Sequence, residues 1–336
     1  MRHPRVEGKD MTTPRISVVM PVWNAGRFLG RTLDSVIGQT FDDFEVVCTN
    51  DGSTDDSLDV LRAYARRDPR IRVIAAEHAG AGATLNRCLD EARGEFVAFL
   101  DNDDWLHPKA LRTALSAISA THADVLLFDW RAIPDDGTVH APDYPELPGN
   151  SAPQQIEDPI GWSLEERRGF VTHVLLGARL HRKSLIDDIR FDPDYTYGDL
   201  LFYWRLMAKP GIRAAHLPAT LYLYAERTGS IIHSPLTPKK AMDRACAIRK
   251  IDEILQRTNP AERRRVMRKL YPEIAWTAFK YARGSAPQQE LVCNCLGEDL
   301  AAGRLRWRDF GLRGFNKALR IHRALASARK GKEARK

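Results

Sequence analysis

Short apolar runs alternate with amphipathic stretches along the first hundred residues. The runs ISVVM at 16–20, FEVVC at 44–48, IRVIA at 71–75 and FVAFL at 96–100 are rich in β-branched and aromatic residues, which predicts four buried strands. Between these runs, apolar residues recur at helical spacing: Leu29, Leu33 and Val36; Leu58, Val60, Leu61 and Tyr64; and Leu85, Leu89 and Ala92. Strands that alternate with helices predict a parallel sheet with right-handed crossovers, which is a Rossmann-like α/β arrangement.

The pattern changes in the second half of the chain. After Asp129 a stretch rich in Pro and Gly predicts an excursion or loop, residues 170–205 again have the pattern of ordered structure, and the chain beyond Pro238 is helical in character almost throughout. Near the start, Ser53, Thr54 and Asp55 are N-cap candidates for the second helix. We therefore predict a flexible N-terminus (1–14), an α/β domain (15–237) and a helical C-terminal region (238–336).

Composition narrows the class of protein. The chain has 336 residues and is 43% hydrophobic, which is enough for a substantial core. No apolar run approaches the roughly 20 residues that span a bilayer, and no apolar stretch follows the N-terminal charges, so we expect a cytoplasmic protein without a cleaved signal. The five cysteines are odd in number and mostly scattered, which favours a reducing compartment. Cys293 and Cys295 are close in sequence, but no second pair or histidine accompanies them as a zinc site requires.

The net charge of +7 is a property of the C-terminal tail. From Gly303 to Lys336 there are 12 Lys and Arg residues against 2 acidic ones. Between Trp307 and Leu325 basic residues interleave with aromatic and aliphatic ones. Such an amphipathic basic helix can lie on an anionic membrane surface, bind an acidic polymer, or pack on the domain with its charges solvated. No recognition motif supports nucleic acid as a partner.

Polar segments follow all four predicted strands. They read PVWNAG, TNDGSTDDS, EHAGAGAT and DNDDW, and ligands of such sheets bind beyond the carboxyl ends of the strands. The last segment places Asp101, Asp103 and Asp104 directly after a buried strand. Like charges repel there and lose hydration, so they need a cation or a set of donors. A metal-bound phosphate meets this need; the alternative is a solvated acidic loop that caps the helix after Pro108.

Several motifs together point to a family. The succession SVVMPVWNAGRFLGRTLDSVIGQTF, NDGSTDDS, GEFVAFLDNDDWLHP, YGDLLFYWRLM and RTGSI resembles the family 2 glycosyltransferases of the GT-A fold, in particular bacterial enzymes that build surface polysaccharides or modify wall polymers. The resemblance covers about residues 15–235. It implies a Rossmann-like nucleotide-binding domain with a mostly parallel sheet, followed here by the helical C-terminal region.

The resemblance also implies a nucleotide-sugar donor, a UDP-sugar, and a divalent cation, Mn²⁺ or Mg²⁺. In the family's D-x-D pattern, Asp101 lies near the ribose and the metal, and Asp103 binds the cation that holds the donor's diphosphate. Asp51 follows a buried strand, and its carboxylate can accept a hydrogen bond from N3–H of uracil; the alternative is a turn with a helix cap. The other donor-binding positions that the resemblance implies are Pro21, Val22, Asn24, Gly82 and Asn102.

The later motifs correspond to the family's catalytic base and to a segment that closes over the donor. Asp199 corresponds to the family's general base, which takes the proton of the acceptor hydroxyl during an inverting displacement; a surface helix cap is the alternative. Gly198 stands where the family usually has Glu, which puts the acceptor preference in question. Arg227 and Ser230 are expected to contact the diphosphate, and His233 to complete the metal shell.

The acceptor and the competing functions follow from the same motifs. The acceptor is expected to be a carbohydrate or a polyol phosphate that lies between the sheet edge and residues 172–205. Leu85 stands where the family usually has arginine, a contact that Arg87 could replace. Gly198 and Leu85 motivate a second hypothesis, a catalytically impaired protein that binds nucleotide sugars or acts as a scaffold. A sugar nucleotidyltransferase would need a Gly-rich loop with Lys or Arg after the first strand, and PVWNAG does not fit this requirement.

Overall fold

The chain divides into two compact units, and the first contains the whole β-sheet. The computed structural model describes residues 13–134, 143–149, 151–165, 175–193, 195–226, 237–281, 286–303, 306, 317–318 and 320–326. The first unit comprises Met1–Ile156, Leu176–Pro193 and Arg213–Arg227, and the second comprises Glu157–Leu175, Asp194–Ile212 and Thr228–Lys336.

Nine strands of the described residues form one mixed sheet in the first unit. In chain order they are β1 (Ile16–Val22), β2 (Phe44–Asp51), β3 (Ile71–Ala76), β4 (Phe96–Phe99), β5 (Trp105–Leu106), β6 (Val125–Pro134), β7 (Gln154–Ile156), β8 (Arg179–Arg182) and β9 (Ala214–Glu226). Their order across the sheet is β3-β2-β1-β4-β8-β6-β9-β5, and β7 pairs with β9. The four strands predicted from the apolar runs are β1 to β4, and their mutual pairings are parallel, as expected.

Helices connect the parallel strands. The helices of the first unit are α1 (Gly26–Ile37), α2 (Ser57–Arg67), α3 (Ala81–Glu91), α4 (Ala110–Thr121) and the single turn α6 (Lys183–Ile186). Leu29, Leu33 and Val36 of α1 are fully buried, as their spacing predicts. Every residue of β2 is buried, which explains the continuous apolar run from Val46 to Cys48 in its centre. The predicted α/β domain with a Rossmann-like parallel core is confirmed.

Two local predictions are corrected by the structure. The helix α2 has Asp56 at its N-cap position, without a side-chain cap, and of the predicted cap residues Asp55 accepts the amide of Ser57, the first residue of α2, at 3.0 Å. All three predicted residues also bond to Asn24 or Gly26, in the connection between β1 and α1. The loop predicted after Asp129 begins later, because β6 continues to Pro134 beside β9 after a register shift at Asp129. Cross-strand pairing over a long sequence separation outweighs the local turn signal there.

The second unit is helical in its described parts. Its helices are α5 (Pro159–Glu165), α7 (Gly198–Met207), α8 (Pro238–Thr258), α9 (Pro260–Tyr281) and α10 (Ala286–Ala301). The helix α8 begins as its sequence predicts: Pro238 occupies the first turn, and the Thr237 side chain accepts a hydrogen bond from the Lys240 amide. Arg263 of α9 donates to both carboxylate oxygens of Asp252 of α8, at 2.6 and 2.7 Å. Among the described helices, none is both long enough and apolar enough to cross a membrane. The predicted helical C-terminal region is confirmed.

Candidate active site

The strand order reverses beside β1, and the polar segments meet at that place. The chain runs from β1 through β2 to β3 on one side, and β4 pairs with the other side of β1. In open α/β sheets this reversal opens a crevice beyond the carboxyl ends of the strands. Asn24 and Asp101 follow β1 and β4, and Asp51 is the last residue of β2, so all three lie along this edge. The sheet topology therefore gathers the predicted donor-binding residues of the first unit.

The three carboxylates after β4 differ in exposure and in partners. Asp101 is exposed and Asp103 is half-exposed, whereas Asp104 is fully buried. The Asp104 carboxylate accepts one hydrogen bond from the Ala225 amide at 2.7 Å and another from the Tyr222 hydroxyl. Tyr222 also accepts a bond from the Asp101 amide at 3.4 Å. Asp104 is thus a structural anchor that ties the acidic loop to β9, and the other two carboxylates face solvent.

The pKa shifts of Asp104 and Tyr222 agree with this difference between Asp104 and the other two carboxylates. Burial raises the pKa of Asp104 well above its usual value, and the charges of Asp101 and Asp103 raise it further. Burial also raises the pKa of Tyr222 well above its usual value, and the carboxylate of Asp104 adds to the shift. The Tyr222 hydroxyl and the Ala225 amide, both from β9, therefore compensate for the lost hydration of the buried Asp104 carboxylate. The charges of Asp101 and Asp103 remain at the surface, where a cation can reach them.

Two asparagines fix the loops around the crevice. The Asn102 side-chain amide donates to the backbone carbonyl of Pro21 at 2.9 Å, and the backbone carbonyl of Asn102 accepts a bond from the Thr32 hydroxyl at 3.1 Å. Asn24 has a left-handed backbone (φ 48°), and its side-chain oxygen accepts the Thr54 amide at 2.8 Å. These bonds set the spacing of the loops after β1, β2 and β4. Both asparagines hold the site together through their side chains.

The Asp51 carboxylate organises the turn before α3. Its side chain is only 3% exposed, and its two oxygens accept the amides of Ala79 and Gly80 at 2.8 and 2.9 Å. The Nδ1 atom of His78 lies 2.9 Å from the carboxylate. Arg87 approaches it at 3.8 Å, which is beyond hydrogen-bond distance. A carboxylate has about four acceptor positions, and the two amides and His78 occupy three of them, so one further donor can bind.

An aromatic surface, missed by the sequence reasoning, lies beside Asp51. Trp23 is 53% exposed, although large apolar side chains are rarely so exposed in this chain. Its ring stacks on that of His78, with centroids 5.1 Å apart and planes 28° from parallel. The signal was present in the sequence, since both residues stand in the polar segments PVWNAG and EHAGAGAT. Their contact could not be read there, because it joins loops after different strands.

Two other predicted residues, Val22 and Gly82, lie in closely packed surroundings. Val22 is fully buried, backbone included. Gly82 lies in the first turn of α3, where an added Cβ would stand 3.0 Å from the Asp192 carbonyl and 3.2 Å from the Cα of Pro193. The absence of a side chain at Gly82 therefore serves close packing of α3.

The remaining predicted residues belong to the second unit or fall outside the described residues. Asp199 is the second residue of α7 and is partly exposed. It stands in the first turn of the helix, where the helix dipole is positive. Arg227, Ser230 and His233, as well as most of the basic tail, lie outside the described residues.

The carboxylates suit a cation that shares its shell with a ligand. In the described part of the chain, no three or more His, Cys, Asp or Glu side chains surround a common metal position. A cation that binds two carboxylates and completes its shell with phosphate oxygens and water needs no such group. Asp101 and Asp103 provide hard oxygen ligands with access to solvent, which fits Mg²⁺ or Mn²⁺.

Comparison with known proteins agrees with this geometry. Residues 17–167 match the family model described as Glycosyl transferase family 2. Glycosyltransferase GlyA of Streptococcus pneumoniae is 28% identical over 221 residues, which are 65% of this chain and 31% of GlyA. The chain thus spans about a third of the length of that relative. The uncharacterized glycosyltransferase YibD of Escherichia coli is 26% identical over 279 residues, which are 78% of this chain and 75% of YibD.

Solved structures share the fold. Residues 1–349 of Staphylococcus aureus TarS, in complex with UDP-GlcNAc, match with a TM-score of 0.69 and 22% identity, over 94% of this chain and 92% of that chain. The mannosyltransferase PcManGT of Pyrobaculum calidifontis, in complex with GDP-Man and Mn²⁺, matches with a TM-score of 0.55 and 18% identity, over 97% of this chain and 91% of that chain. These comparisons agree with the resemblance inferred from the motifs: residues 17–167, somewhat less than half of the chain, match the model of Glycosyl transferase family 2.

Proposed function

We propose that this chain is an inverting glycosyltransferase that moves a sugar from a UDP-sugar to a hydroxyl of a polysaccharide, wall-polymer or lipid-linked acceptor. The observation that carries the proposal is the arrangement beyond β1 and β4. Two solvent-accessible carboxylates, Asp101 and Asp103, stand at the reversal of strand order, beside the Trp23 surface and Asp51. The family match and the UDP-GlcNAc complex of TarS support a sugar nucleotide as the ligand.

On the donor side, we propose that different residues bind the diphosphate and the base of the nucleotide. Asp101 and Asp103 would hold a divalent cation, which neutralises charge on the diphosphate as it leaves. The exposed face of Trp23 suits stacking on a base, and Asp51 has an acceptor position for a ring N–H. Asp104 and Tyr222 keep the acidic loop in place and have no contact with substrate in this scheme.

On the acceptor side, Asp199 is the proposed general base. A carboxylate of ordinary basicity suffices, because the acceptor hydroxyl becomes acidic as its oxygen bonds to the anomeric carbon. The proton moves to an oxygen of Asp199, and the bond to the donor's phosphate oxygen breaks on the opposite face of the sugar. Arg227, Ser230 and His233 remain predicted contacts of the diphosphate and the cation.

The proposal also covers the nucleotide of the donor and the surface at which the protein acts. The complex of PcManGT with GDP-Man and Mn²⁺ makes a guanosine donor the natural comparison for UDP in any binding experiment. We also propose that the basic tail brings the protein to an anionic membrane surface, where lipid-linked acceptors would be found.

The test is a donor-hydrolysis and transfer assay with a panel of UDP- and GDP-sugars in Mn²⁺. We expect turnover of a UDP-sugar, lost with EDTA. Asp199→Asn is expected to keep UDP affinity and to lose at least about a hundredfold in transfer rate. UDP binding without any turnover of the wild-type chain would favour the binding or scaffolding function instead. Equal loss of UDP affinity and transfer in Asp199→Asn would assign that residue a structural task.

A further inference from the structure

The segment that leads into α7 is held by one aspartate of α8. One oxygen of the Asp243 carboxylate accepts the backbone amide of Thr196 at 2.9 Å and the Thr196 hydroxyl at 2.6 Å. The Lys239 ammonium, one turn earlier on α8, donates to the same oxygen at 2.8 Å. Asp243 and Thr196 are 47 positions apart in the sequence, so these bonds depend on how the second unit folds.

The residue before Thr196 attaches to α8 as well. The Tyr195 hydroxyl donates to the backbone carbonyl of Asp243. The Lys250 ammonium, two turns further along α8, lies 4.6 Å from the centre of the Tyr195 ring, a distance at which a cation is attracted to the face of the ring. A shift of this segment therefore breaks contacts of Tyr195 and Thr196 at the same time.

The surroundings of Asp243 favour its ionised form. Its side chain is only 14% exposed. Burial by itself would raise the pKa of Asp243, but the hydrogen bonds from Lys239 and Thr196 outweigh burial and hold the pKa below its usual value. Hydrogen bonds to an ionised acceptor are stronger than those between neutral groups. The carboxylate is therefore a strong anchor for the Thr196 amide and hydroxyl.

The first turn of α7 depends on this anchor. Among the described residues, Tyr197 stands at the N-cap position of α7 without a side-chain cap bond. Gly198, the first residue of the helix, has no side chain with which to hold this turn in place. Asp199 follows directly, three positions after Thr196. The bonds between Asp243 and Thr196 therefore fix where α7 begins and, with it, where Asp199 stands.

We propose that Asp243 is a positioning residue for glycosyl transfer, which fixes the start of α7 and thereby holds the Asp199 carboxylate where it takes the proton of the acceptor hydroxyl. The inference rests on the proposed function, in which Asp199 is the general base. Asp243 acts through Thr196 and takes no proton itself. Because α8 lies beyond residues 17–167, which match the family model, the helical C-terminal region has a task in catalysis.

A small displacement of a general base is enough to slow the reaction. Proton transfer requires the base within about 2.6–3.2 Å of the hydroxyl oxygen, and a misplacement of about 1 Å can lower a rate about a hundredfold. Since Asp199 acts on the acceptor and not on the nucleotide, its displacement lowers kcat and leaves UDP affinity unchanged. A residue that merely stabilised the helices would lower stability without this selective loss of kcat.

The experiment measures donor hydrolysis by the full-length protein in Mn²⁺, in which water takes the place of the acceptor, and UDP affinity by calorimetry. The donor is the UDP-sugar that the wild type hydrolyses fastest. In Asp243→Ala, which removes the accepting oxygen, we expect kcat to fall at least about tenfold with UDP affinity unchanged. Asp243→Asn keeps one oxygen for the Thr196 donors and should restore most of this loss. Thr196→Val removes the hydroxyl bond alone and should lower kcat less than Asp243→Ala does.

The matched control is Asp252→Ala. Asp252 is another aspartate of α8 with a similarly covered side chain, 12% exposed, and it is bonded to Arg263 of α9. Its replacement should lower stability and leave kcat as in the wild type, when all variants are assayed well below their unfolding temperatures. Lys239→Ala removes the ion pair but keeps both Thr196 bonds, so its kcat should also resemble that of the wild type.

Hydrogen exchange followed by mass spectrometry gives a readout that does not depend on turnover. The Thr196 amide should exchange faster in Asp243→Ala than in the wild type, because it loses its acceptor, and Asp252→Ala should not change it. Unchanged exchange at Thr196 in Asp243→Ala would overturn the anchor.

The catalytic task of Asp243 has its own contradicting results. It is overturned if Asp243→Ala hydrolyses the donor at the wild-type rate, if UDP affinity falls in proportion to kcat, or if Asp252→Ala loses as much kcat. A wild type without hydrolysis, or an Asp199→Asn variant that keeps it, contradicts the proposed function itself and the task of Asp243 with it. An active wild type and an inactive Asp199→Asn beside a fully active Asp243→Ala overturn the inference alone.

Discussion

At the scale of single residues, burial separates carboxylates that look alike in the sequence. Asp101, Asp103 and Asp104 stand within four positions, yet Asp104 is buried and bonded by β9 while the other two face solvent. Sequence patterns place all three beyond β4 but cannot assign them different tasks, because Tyr222 and Ala225 come from a strand more than a hundred residues later. The acidic segment after β4 could be predicted; the anchoring of Asp104 by β9 could not.

The first prediction concerns this anchor. Tyr222→Phe removes the hydroxyl that donates to the buried Asp104 carboxylate, so we expect a loss of about 1–3 kcal/mol in the free energy of unfolding, measured in urea. The matched control is Tyr64→Phe, which removes a hydroxyl bonded to Asp34 at 2.8 Å at a more exposed position. It should cost less than about 1 kcal/mol. Similar costs for both variants would contradict the role of Tyr222 as an anchor.

The second prediction concerns pH. Burial and the charge of Arg179 lower the pKa of His181, on β8, to about 3. The unfolded chain takes up this proton below about pH 6.5 and the folded chain does not, so stability falls as the pH decreases from about 6.5 toward 3. The slope for this group is about 1.4 kcal/mol per pH unit.

The measurement for His181 compares urea unfolding of the wild type and His181→Gln between about pH 7 and pH 5. The variant keeps a polar side chain of similar size but has no proton to bind in this range. We expect its stability to depend less steeply on pH than that of the wild type. Parallel curves would show that His181 titrates alike in the folded and unfolded states.

At the scale of elements, the four strands β1 to β4 could be predicted, and the loops between them could not. The apolar runs at 16–20 and 44–48 became β1 and β2, because buried strands of a parallel sheet have short and nearly continuous apolar runs. Residues 53–55 were predicted as a helix cap; Asp55 does accept the Ser57 amide of α2, and all three residues also bond to the connection between β1 and α1. The same polar groups thus make a local and a tertiary contact, and the sequence shows only the local one.

The third prediction tests the packing of α3. In Gly82→Ala the new methyl group would stand 3.0 Å from the Asp192 carbonyl, so we expect a loss of about 1–3 kcal/mol in stability. Gly30→Ala in α1 is the control, because its nearest neighbour is the Tyr64 hydroxyl at 3.5 Å and alanine favours the helix by up to about 1 kcal/mol. If Gly82→Ala instead kept its stability and lost UDP affinity, the donor contact predicted from the sequence would be the better explanation.

At the scale of the whole molecule, the order of the strands matters more than any one motif. The reversal of strand order beside β1 brings the segments after β1, β2 and β4 to one edge of the sheet, and none of them alone would form a nucleotide site. Fold class and the polar segments at this edge were accessible to sequence reasoning, because the strand pattern and the segments after the strands are local features. The stacking of Trp23 on His78 was not accessible, because it joins loops after different strands.

The central claim is that Asp101 and Asp103 bind a divalent cation together with the diphosphate of a nucleotide. Its most direct test is calorimetry of UDP binding with Mn²⁺ and with EDTA, for the wild type, Asp103→Asn and the control Asp42→Asn, whose side chain is 94% exposed before β2. We predict that EDTA and Asp103→Asn each weaken UDP binding by at least about tenfold, or about 1.4 kcal/mol, and that Asp42→Asn binds as the wild type does. UDP binding that is equally tight in Asp103→Asn with Mn²⁺ would contradict the account.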